Sequence, residues 1–526
     1  MSGKELITRM LKVLFVAGEA APFIKTGGLG TVIASLPQEL RQQGVDARII
    51  IPKYGGIPEK FRHSMSVKAS FPVPLSWRLQ PCRLEELELD GLPCYFIDNE
   101  YYFKRSGVYG HYDDAERYAF FSRAVLEALP QLGFQPHILH CHDWQCGLVS
   151  VFLTAHYRDQ PFYNKIRTLF TVHNLKYQGI FPKAIMLNLL DLSWDYFTVQ
   201  GMEFYDNVNF MKGGLIFSDL INTVSPTYAR EIQHAYYGEK LEGVLAGRAA
   251  DLAGIINGID FAVYNPATDP CIFANYDWQT RERKTKNKLA LQKLLGLTAD
   301  PARPLLAMNC RLVEAKGLDL VLRVLAEILD SGAQLVIIGQ GSEHYQQLLW
   351  QASWLHNDRL AAIIPFSEDM SRKLYAAADL FLMPSRYEPC GIGQLIALRY
   401  GCLPVVRETG GLNDTVLAYN EQTGAGNGFS FTNYNAHDFL HTVRRAIRIY
   451  HNKKVWNMLS GRAMRIDNSW HIPAGQYRQL YTKLYTEEHL YKAARIAPGT
   501  TPGPVPYTVS PYSENPFPVK EVPYAH

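Results

Sequence analysis

Short runs that are apolar throughout, each followed by a helical pattern, recur along this chain in two rounds. LKVLFVAGE, DARIIIPKY, CYFIDNE, HILHCHDW, RTLFTVHN and LINTVSP occupy the first half; PLLAMNCR, AQLVIIGQG, AAIIPF, DLFLMPS and CLPVVRE occupy the second. A strand with apolar side chains on both faces must be buried on both, which is the condition of a parallel sheet with helices above and below. Two rounds therefore predict two doubly wound α/β domains, and 526 residues are too many for one core. The break falls at GIINGID, Gly254–Asp260. The predicted units are 1–253 and 254–468, a further segment over 469–495 that is helical in its later part, and a tail over 496–526. The last 30 residues carry eight prolines and no core pattern, so the tail reads as extended or disordered. In open α/β sheets ligands bind beyond the carboxyl ends of the strands, so the predicted site is the deep cleft between the two domains.

Bulk properties narrow the function. A formal charge of +3 leaves no electrostatic footprint for nucleic acid or an anionic membrane. No apolar run approaches the length of a membrane span, and the N-terminus, MSGKELITRM, lacks a signal-peptide core. Eight cysteines spread from Cys82 to Cys402 with no C-x-x-C pair are neither a disulfide scaffold nor a zinc site, and a reducing cytoplasm is the default compartment.

Five stretches carry residues suited to chemistry. PFIKTGGLGTV lies between the first strand and a helix predicted from about Thr31. Its glycines let a backbone approach closely, the helix start offers unpaired N–H groups, and Lys25, read as a buried lysine, adds a full charge; together these suit a phosphate. A tight turn with a surface lysine fits the same letters. CRLVEAKGLDL places Arg311 and Lys316 five apart across a strand exit, a dication for a diphosphate if both face the cleft and two solvated charges if they do not. PSRYEPCGIGQL sets Glu388 and Cys390–Gly393 before a helix, so it is either a second cradle with a carboxylate for sugar hydroxyls or a capped helix start; RETGGLNDTV adds Thr409, Gly410 and Gly411. HCHDWQCGL (His140, His142, Asp143, Trp144) and FTVHNLKYQG (His173, Asn174, Tyr177, Gln178) both end apolar strands. His140 and His142 are read as pointing to opposite sides of the strand, a poor pair for a metal ion, so no metal site is expected.

Taken together, KTGGLG, HCHDWQCGL, FTVHNLKYQG, INTVSPTYAREI, INGID, RLVEAKGLD, PSRYEPCG and TGGL resemble the bacterial glycogen synthase and plant starch synthase family, in order and spacing, over about residues 11–490. The resemblance implies a retaining GT-B glycosyltransferase, with two Rossmann-like domains facing across a cleft. Such an enzyme moves glucose from ADP-glucose to the non-reducing end of an α-1,4-glucan such as glycogen, with no metal and no further cofactor. It implies that Lys25 and Gly28 meet the phosphate next to glucose, that Arg311 and Lys316 hold the leaving diphosphate, and that Glu388 binds and positions the glucose. The His173 carbonyl would lie near the anomeric face, while Asp143, Trp144, Asn174 and Tyr177 would shape the acceptor and glucose pocket. Asn257, Cys390, Gly391, Ile392, Gly393, Gln394 and Thr409–Gly411 would grip the donor. The final helix, from about Ser469, would cross back to the first domain, and closure on the donor would exclude water.

Three departures stand out. The family's KTGGLADV is KTGGLGTV here, with Thr31 in place of an acid; RLT-x-QKG is RLVEAKG; and PCGLTQL is PCGIGQL, with Gly393 in place of a hydroxyl residue. Ile396 stands where sucrose-synthase-like relatives carry a second glutamate, and none of the pyridoxal-phosphate hallmarks of glucan phosphorylase occur. The departures keep two alternatives open: a weakened homologue that binds glucan or a partner, and a transferase with another donor (UDP-glucose) or acceptor.

Overall fold

The computed structural model describes residues 10–486; the proline-rich tail and the end of the preceding segment lie outside the described residues. Nine strands build the first sheet: β1 (Lys12–Val16), β2 (Asp46–Pro52), β3 (Ser66–Leu75), β4 (Arg78–Leu89), β5 (Leu92–Asp98), β6 (Ile138–His142), β7 (Arg167–Val172), β8 (Leu220–Thr223) and β9 (Leu252–Gly254), in the order β9-β8-β7-β6-β1-β2-β5-β4-β3. From β9 to β5 every pairing is parallel, and β6, β7 and β8 are buried at every position. The chain order reverses between β6, β1 and β2, which puts the exits of β1, β6 and β7 side by side.

The edge departs from the all-parallel expectation. SVKASFPVPL and RLQPCRLEELEL form an antiparallel hairpin, β3–β4, which pairs antiparallel with β5. Its buried positions are interrupted by exposed ones, the pattern of a sheet covered on one face only.

The second sheet has six parallel strands: β10 (Leu305–Leu312), β11 (Gln334–Gly341), β12 (Leu360–Ile363), β13 (Leu380–Met383), β14 (Leu403–Arg407) and β15 (Phe429–Phe431), in the order β12-β11-β10-β13-β14-β15. Each sheet has its own apolar core. Ile255 belongs to the first core and Ile259 to one behind the second sheet, so the chain changes sides within GIINGID. A second crossing runs beside it, where Ile259 N–H donates to Asn468 O at 2.8 Å and a Cβ on Gly258 would stand 2.6 Å from the Ser469 and Trp470 backbone.

Five helices frame the argument: α1 (Gly28–Gln42), α2 (Pro226–Glu231), α3 (Gly393–Arg399), α4 (Gly410–Thr415) and α5 (His471–Thr486). α1 buries Val32, Ile33, Leu36 and Leu40, one stripe at helical spacing. α5 returns to the first core with Ala474, Tyr477, Tyr481 and Leu484. Tyr481 OH lies 2.8 Å from His140 Nδ1, and Asn222 Nδ2 donates to Tyr477 OH at 2.9 Å. Among the described residues no helix is long and apolar enough to cross a membrane.

Candidate active site

The glycine-rich loop between β1 and α1 is organised by a residue the motif reading passed over. Glu19 is buried, and its carboxylate accepts from Thr26 N (2.6 Å) and Oγ1 (2.5 Å) on one oxygen and from Gly27 N (3.2 Å) and Gly30 N (2.9 Å) on the other. A carboxylate thus takes several of the amides that an empty cradle would offer an anion. α1 starts at Gly28, three residues earlier than Thr31, because Glu19 caps it from outside the loop. Lys25 is exposed, not buried, and its stem lies against Gly30, where a Cβ would come within 3.2 Å of it. Gly28 faces the other domain, with Ile392 Cδ1 3.9 Å from the position of a Cβ.

On the opposite side, β10 ends at Leu312 and a single turn, Glu314–Lys316, leads into Gly317 at φ 73°. A Cβ on Gly317 would lie 2.1 Å from Pro384 O. That close approach seats the two loops together, and Arg386 N–H donates to Ala315 O at 2.9 Å. Lys316 Nζ then reaches Glu388 Oε2 at 2.5 Å, and Ser385 Oγ donates to the same oxygen at 3.0 Å. Glu388 is 7% exposed, so the pair is largely withdrawn from water. Arg311 is exposed and points across the cleft, with Nη1 3.5 Å from Tyr177 OH. Beneath them, burial pushes the Cys310 thiol up to about 12.

PCGIGQL wraps around one amide. Buried Gln394 donates from Nε2 to Cys390 O (3.1 Å), Gly391 O (3.0 Å) and Thr415 Oγ1 (3.1 Å), and Gly391 holds φ 75° directly over it. Gly393 has a steric reason for lacking a side chain: a Cβ would meet the Phe381 ring at 2.9 Å. Asn257 presents its backbone N–H to the Cys390 sulfur, and its buried Oδ1 has no protein partner among the described residues. Thr409 and Gly410 do not form a vacant donor loop. Thr409 Oγ1 donates to Glu231 Oε1 at 2.9 Å, and Gly410 N donates to both Glu231 oxygens at 3.1 and 3.0 Å. Gly411 N donates to Glu388 O at 3.2 Å, which packs this turn on the Glu388 backbone.

The two histidines of β6 correct the expectation that they point apart. Residues two apart on a strand share a face, and the His140 and His142 rings sit 4.0 Å apart. His140 spends both nitrogens on Tyr481 and on Thr171 Oγ1 (2.6 Å). His142 Nδ1 lies 3.0 Å from His173 Nε2, and burial drives the His173 imidazole down to about 3. Asp143 follows at φ 56°, ψ −179°, a region in which side chains are strained. Its Oδ1 accepts from His173 N at 2.7 Å. Burial raises its carboxyl to about 7 against the pull of the His173 and Asn174 amides, with Glu19 adding to the rise.

Trp144 is buried against Tyr118 and Phe181, and a Cβ on Gly179 would lie 2.3 Å from its ring, so it walls the site from behind. Asn174 lines a cavity of about 250 Å³ with Lys176, Tyr236, Tyr237, Arg386 and Tyr387. Tyr177, half-exposed, meets Arg311 instead.

Glu19, Glu231 and Tyr109 belong to this neighbourhood and were not singled out from sequence. The Tyr109 hydroxyl lies 3.0 Å from where a Cβ on Gly18 would be; burial, then Glu19, Tyr118 and Asp143, raise its pKa. Glu19 carried a signal, an acid three residues past the apolar strand β1. Glu231 carried none, since its partners are almost 180 residues away.

The architecture has recognisable relatives. The family described as starch synthase catalytic domain matches residues 12–247, and that described as glycosyl transferases group 1 matches 297–458. A glycogen synthase of Desulforamulus reducens is 52% identical over 474 residues, covering 90% of this chain and 99% of that protein. One from Geobacillus stearothermophilus is 53% identical over 478 residues, covering 91% and 99%. The catalytic domain of starch synthase IV from Arabidopsis thaliana, solved with ADP and acarbose, superposes with a TM-score of 0.85 at 35% identity, covering 91% of this chain and all of that one. A sucrose-phosphate synthase from Thermosynechococcus elongatus, at 16% identity and a TM-score of 0.58 over 90% and 99% of the chains, shares the GT-B fold alone. Two doubly wound sheets with the Lys316–Glu388 pair at the strand exits of the second, and half of all residues shared along nine-tenths of the chain, lead to one conclusion: this chain belongs to the glycogen synthase and starch synthase family of glycosyltransferases.

Proposed function

We propose that the protein is a glycogen synthase that transfers glucose from ADP-glucose to the non-reducing end of an α-1,4-glucan with retention of configuration. The observation that carries the reading is the withdrawn Lys316–Glu388 pair, set in the cleft of a chain half identical to glycogen synthases. ADP as the nucleotide is supported by the ADP bound to the Arabidopsis starch synthase, and an α-glucan acceptor by its acarbose. On this reading 1–253 is the acceptor-side domain, 254–468 the donor-side domain, and 469–495 the segment that ties the second to the first. The reaction runs in the cytoplasm.

The chemistry asks for three things. Negative charge develops on the departing diphosphate, and Lys316 and Arg311 answer it with no metal. Lys316 trades part of its bond to Glu388 for the phosphate, which frees a Glu388 oxygen for a glucose hydroxyl. Lys25 and the exposed backbone at Gly28 contribute the phosphate contacts that Glu19 leaves open. Asn257 Oδ1 accepts from the donor sugar, and the backbone from Cys390 to Gly393, with Gln394 holding its shape, and from Thr409 to Gly411 encloses the donor. The acceptor enters past Asn174 and Tyr177 over the wall made by Trp144, where Asp143 fixes the His173 main chain against the anomeric face. The buried neutral His173 ring adds no competing charge there.

The alternative of a weakened homologue rests on Thr31 and Gly393; Phe381 already accounts for Gly393. Labelled ADP-glucose and maltoheptaose test the reading. The proposal expects a ladder of longer chains whose label β-amylase releases as maltose. Label remaining as free glucose, or chains that resist β-amylase, would refute it.

A further inference from the structure

Among the described residues the chain crosses between the two sheets twice, and the crossings lie side by side at Gly258 and Ser469. Paired crossings at one place make a hinge, so other contacts must decide how the faces of the cleft meet. One contact is doubled. α2 packs on β8 and β9 of the first sheet, and α4 follows β14 of the second. The carboxylate at the end of α2, Glu231, takes the Thr409 hydroxyl and the first amide of α4. Near the end of α4, Asp414 returns the exchange: its Oδ2 accepts from Thr227 N at 2.9 Å and its Oδ1 from Thr227 Oγ1 at 2.6 Å. Asn413 Nδ2 adds a bond to Thr227 Oγ1 at 3.0 Å. Each helix start is thus capped by an acid from the opposite domain. α2 also has a cap of its own, Ser225 Oγ accepting from Tyr228 N at 2.8 Å, whereas Thr409 makes no side-chain cap bond and leaves the start of α4 to Glu231.

The contact leads directly to the reacting centre. Behind Gly410, a Cβ would lie 2.0 Å from Glu388 O, and Gly411 N donates to Glu388 O and Pro389 O. Wherever Glu231 sets this turn, the Glu388 backbone must follow, because two glycines hold the two backbones in contact. We propose that Glu231 is a positioning residue: with Asp414 it forms a reciprocal clasp between the domains that places Glu388 when the cleft is closed. The catalytic part of this inference rests on the glycogen synthase reading; the clasp itself does not.

The test uses the full chain with Glu231→Ala, Glu231→Gln and Asp414→Asn, each checked by thermal melting. Two readouts are taken: kcat and KM for glucan-dependent ADP release from ADP-glucose, and hydrogen exchange in segments 225–231 and 408–415. Glu231→Ala is expected to lower kcat on the order of tenfold or more, as misplacement of a catalytic group does, while KM for the glucan stays within about twofold. Exchange in both segments should rise together. Glu231→Gln, which keeps an acceptor oxygen, should recover part of both, and Asp414→Asn should loosen 225–231 in the same way. Wild-type kcat in Glu231→Ala, or unchanged exchange across 408–415, overturns the proposal; if Glu231→Ala does not fold, Glu231→Gln decides by the same criteria. A wild-type protein that releases no ADP sinks the functional reading instead, and the exchange data still decide the clasp.

Discussion

Asp143 shows what the site demands of a single residue. It is held at a strained φ of 56°, and loss of solvent around its carboxyl pushes that group up to about 7. The raised value means that the folded chain takes up a proton between about pH 4 and 7 that the unfolded chain does not, so this residue's contribution to stability falls as pH rises through that window. Asp143→Asn removes the titration. Its melting temperature should exceed that of the wild type at about pH 8, with the difference gone near pH 4, and it should lose activity because the amide keeps one acceptor oxygen and turns an NH2 donor where the carboxylate offered a second acceptor to the His173 and Asn174 N–H groups. A melting temperature no higher than the wild type's at pH 8 would show that the carboxyl is not the strained element. At this scale the sequence was legible where a short motif sits at a strand exit: Lys316 meets Glu388, Arg311 reaches Tyr177, Asp143 takes the His173 N–H, and Asn257 keeps a buried Oδ1 with no partner among the described residues. Its limits were partners and faces. Glu19 looks like any acid at a strand exit until its bonds to Thr26, Gly27 and Gly30 are seen, and Lys25 looks buried only because its neighbours are apolar.

Elements carry the next constraint. The turn after β10 and the loop before α3 touch backbone to backbone at Gly317 and Pro384, and that contact lets Lys316 reach Glu388. Gly317→Ala adds a methyl where none fits, at a positive φ that alanine disfavours. The loops must separate, and the account expects stability to fall by about 1–3 kcal/mol with a larger loss in kcat than in glucan affinity. Melting and steady-state kinetics on one preparation check this; unchanged kcat would show that the Lys316–Glu388 contact survives without the close approach. Strands buried on both faces were plain in sequence because the adjacent pairs Ile138–Leu139, Leu169–Phe170 and Leu220–Ile221 put an apolar side chain on each face. The β3–β4 hairpin was not, since its apolar residues are interleaved with Lys68, Gln80, Arg83 and Glu88, and its three prolines, Pro72, Pro74 and Pro81, blur the strand signal. The start of α1 was misplaced for a third reason: its cap comes from Glu19 rather than from the residues just before it.

For the whole molecule, the division of labour follows from two cores that share two crossings and a clasp. Gly254–Asp260 was visible as a change of rhythm and the return from about Ser469 through the family resemblance; the way His140 and Asn222 hold Tyr481 and Tyr477 of α5 depends on contacts hundreds of residues apart. The central claim is that this cleft releases ADP from ADP-glucose only when a glucan takes the glucose. The direct measurement is nucleoside diphosphate release by the purified protein, with and without glycogen, from ADP-glucose and from UDP-glucose in turn, beside Glu388→Ala and Lys316→Ala. The account predicts glycogen-dependent release from ADP-glucose, faster than from UDP-glucose, and a fall on the order of a hundredfold or more in both variants. Release that ignores glycogen, that favours UDP-glucose, or that survives both substitutions would contradict it.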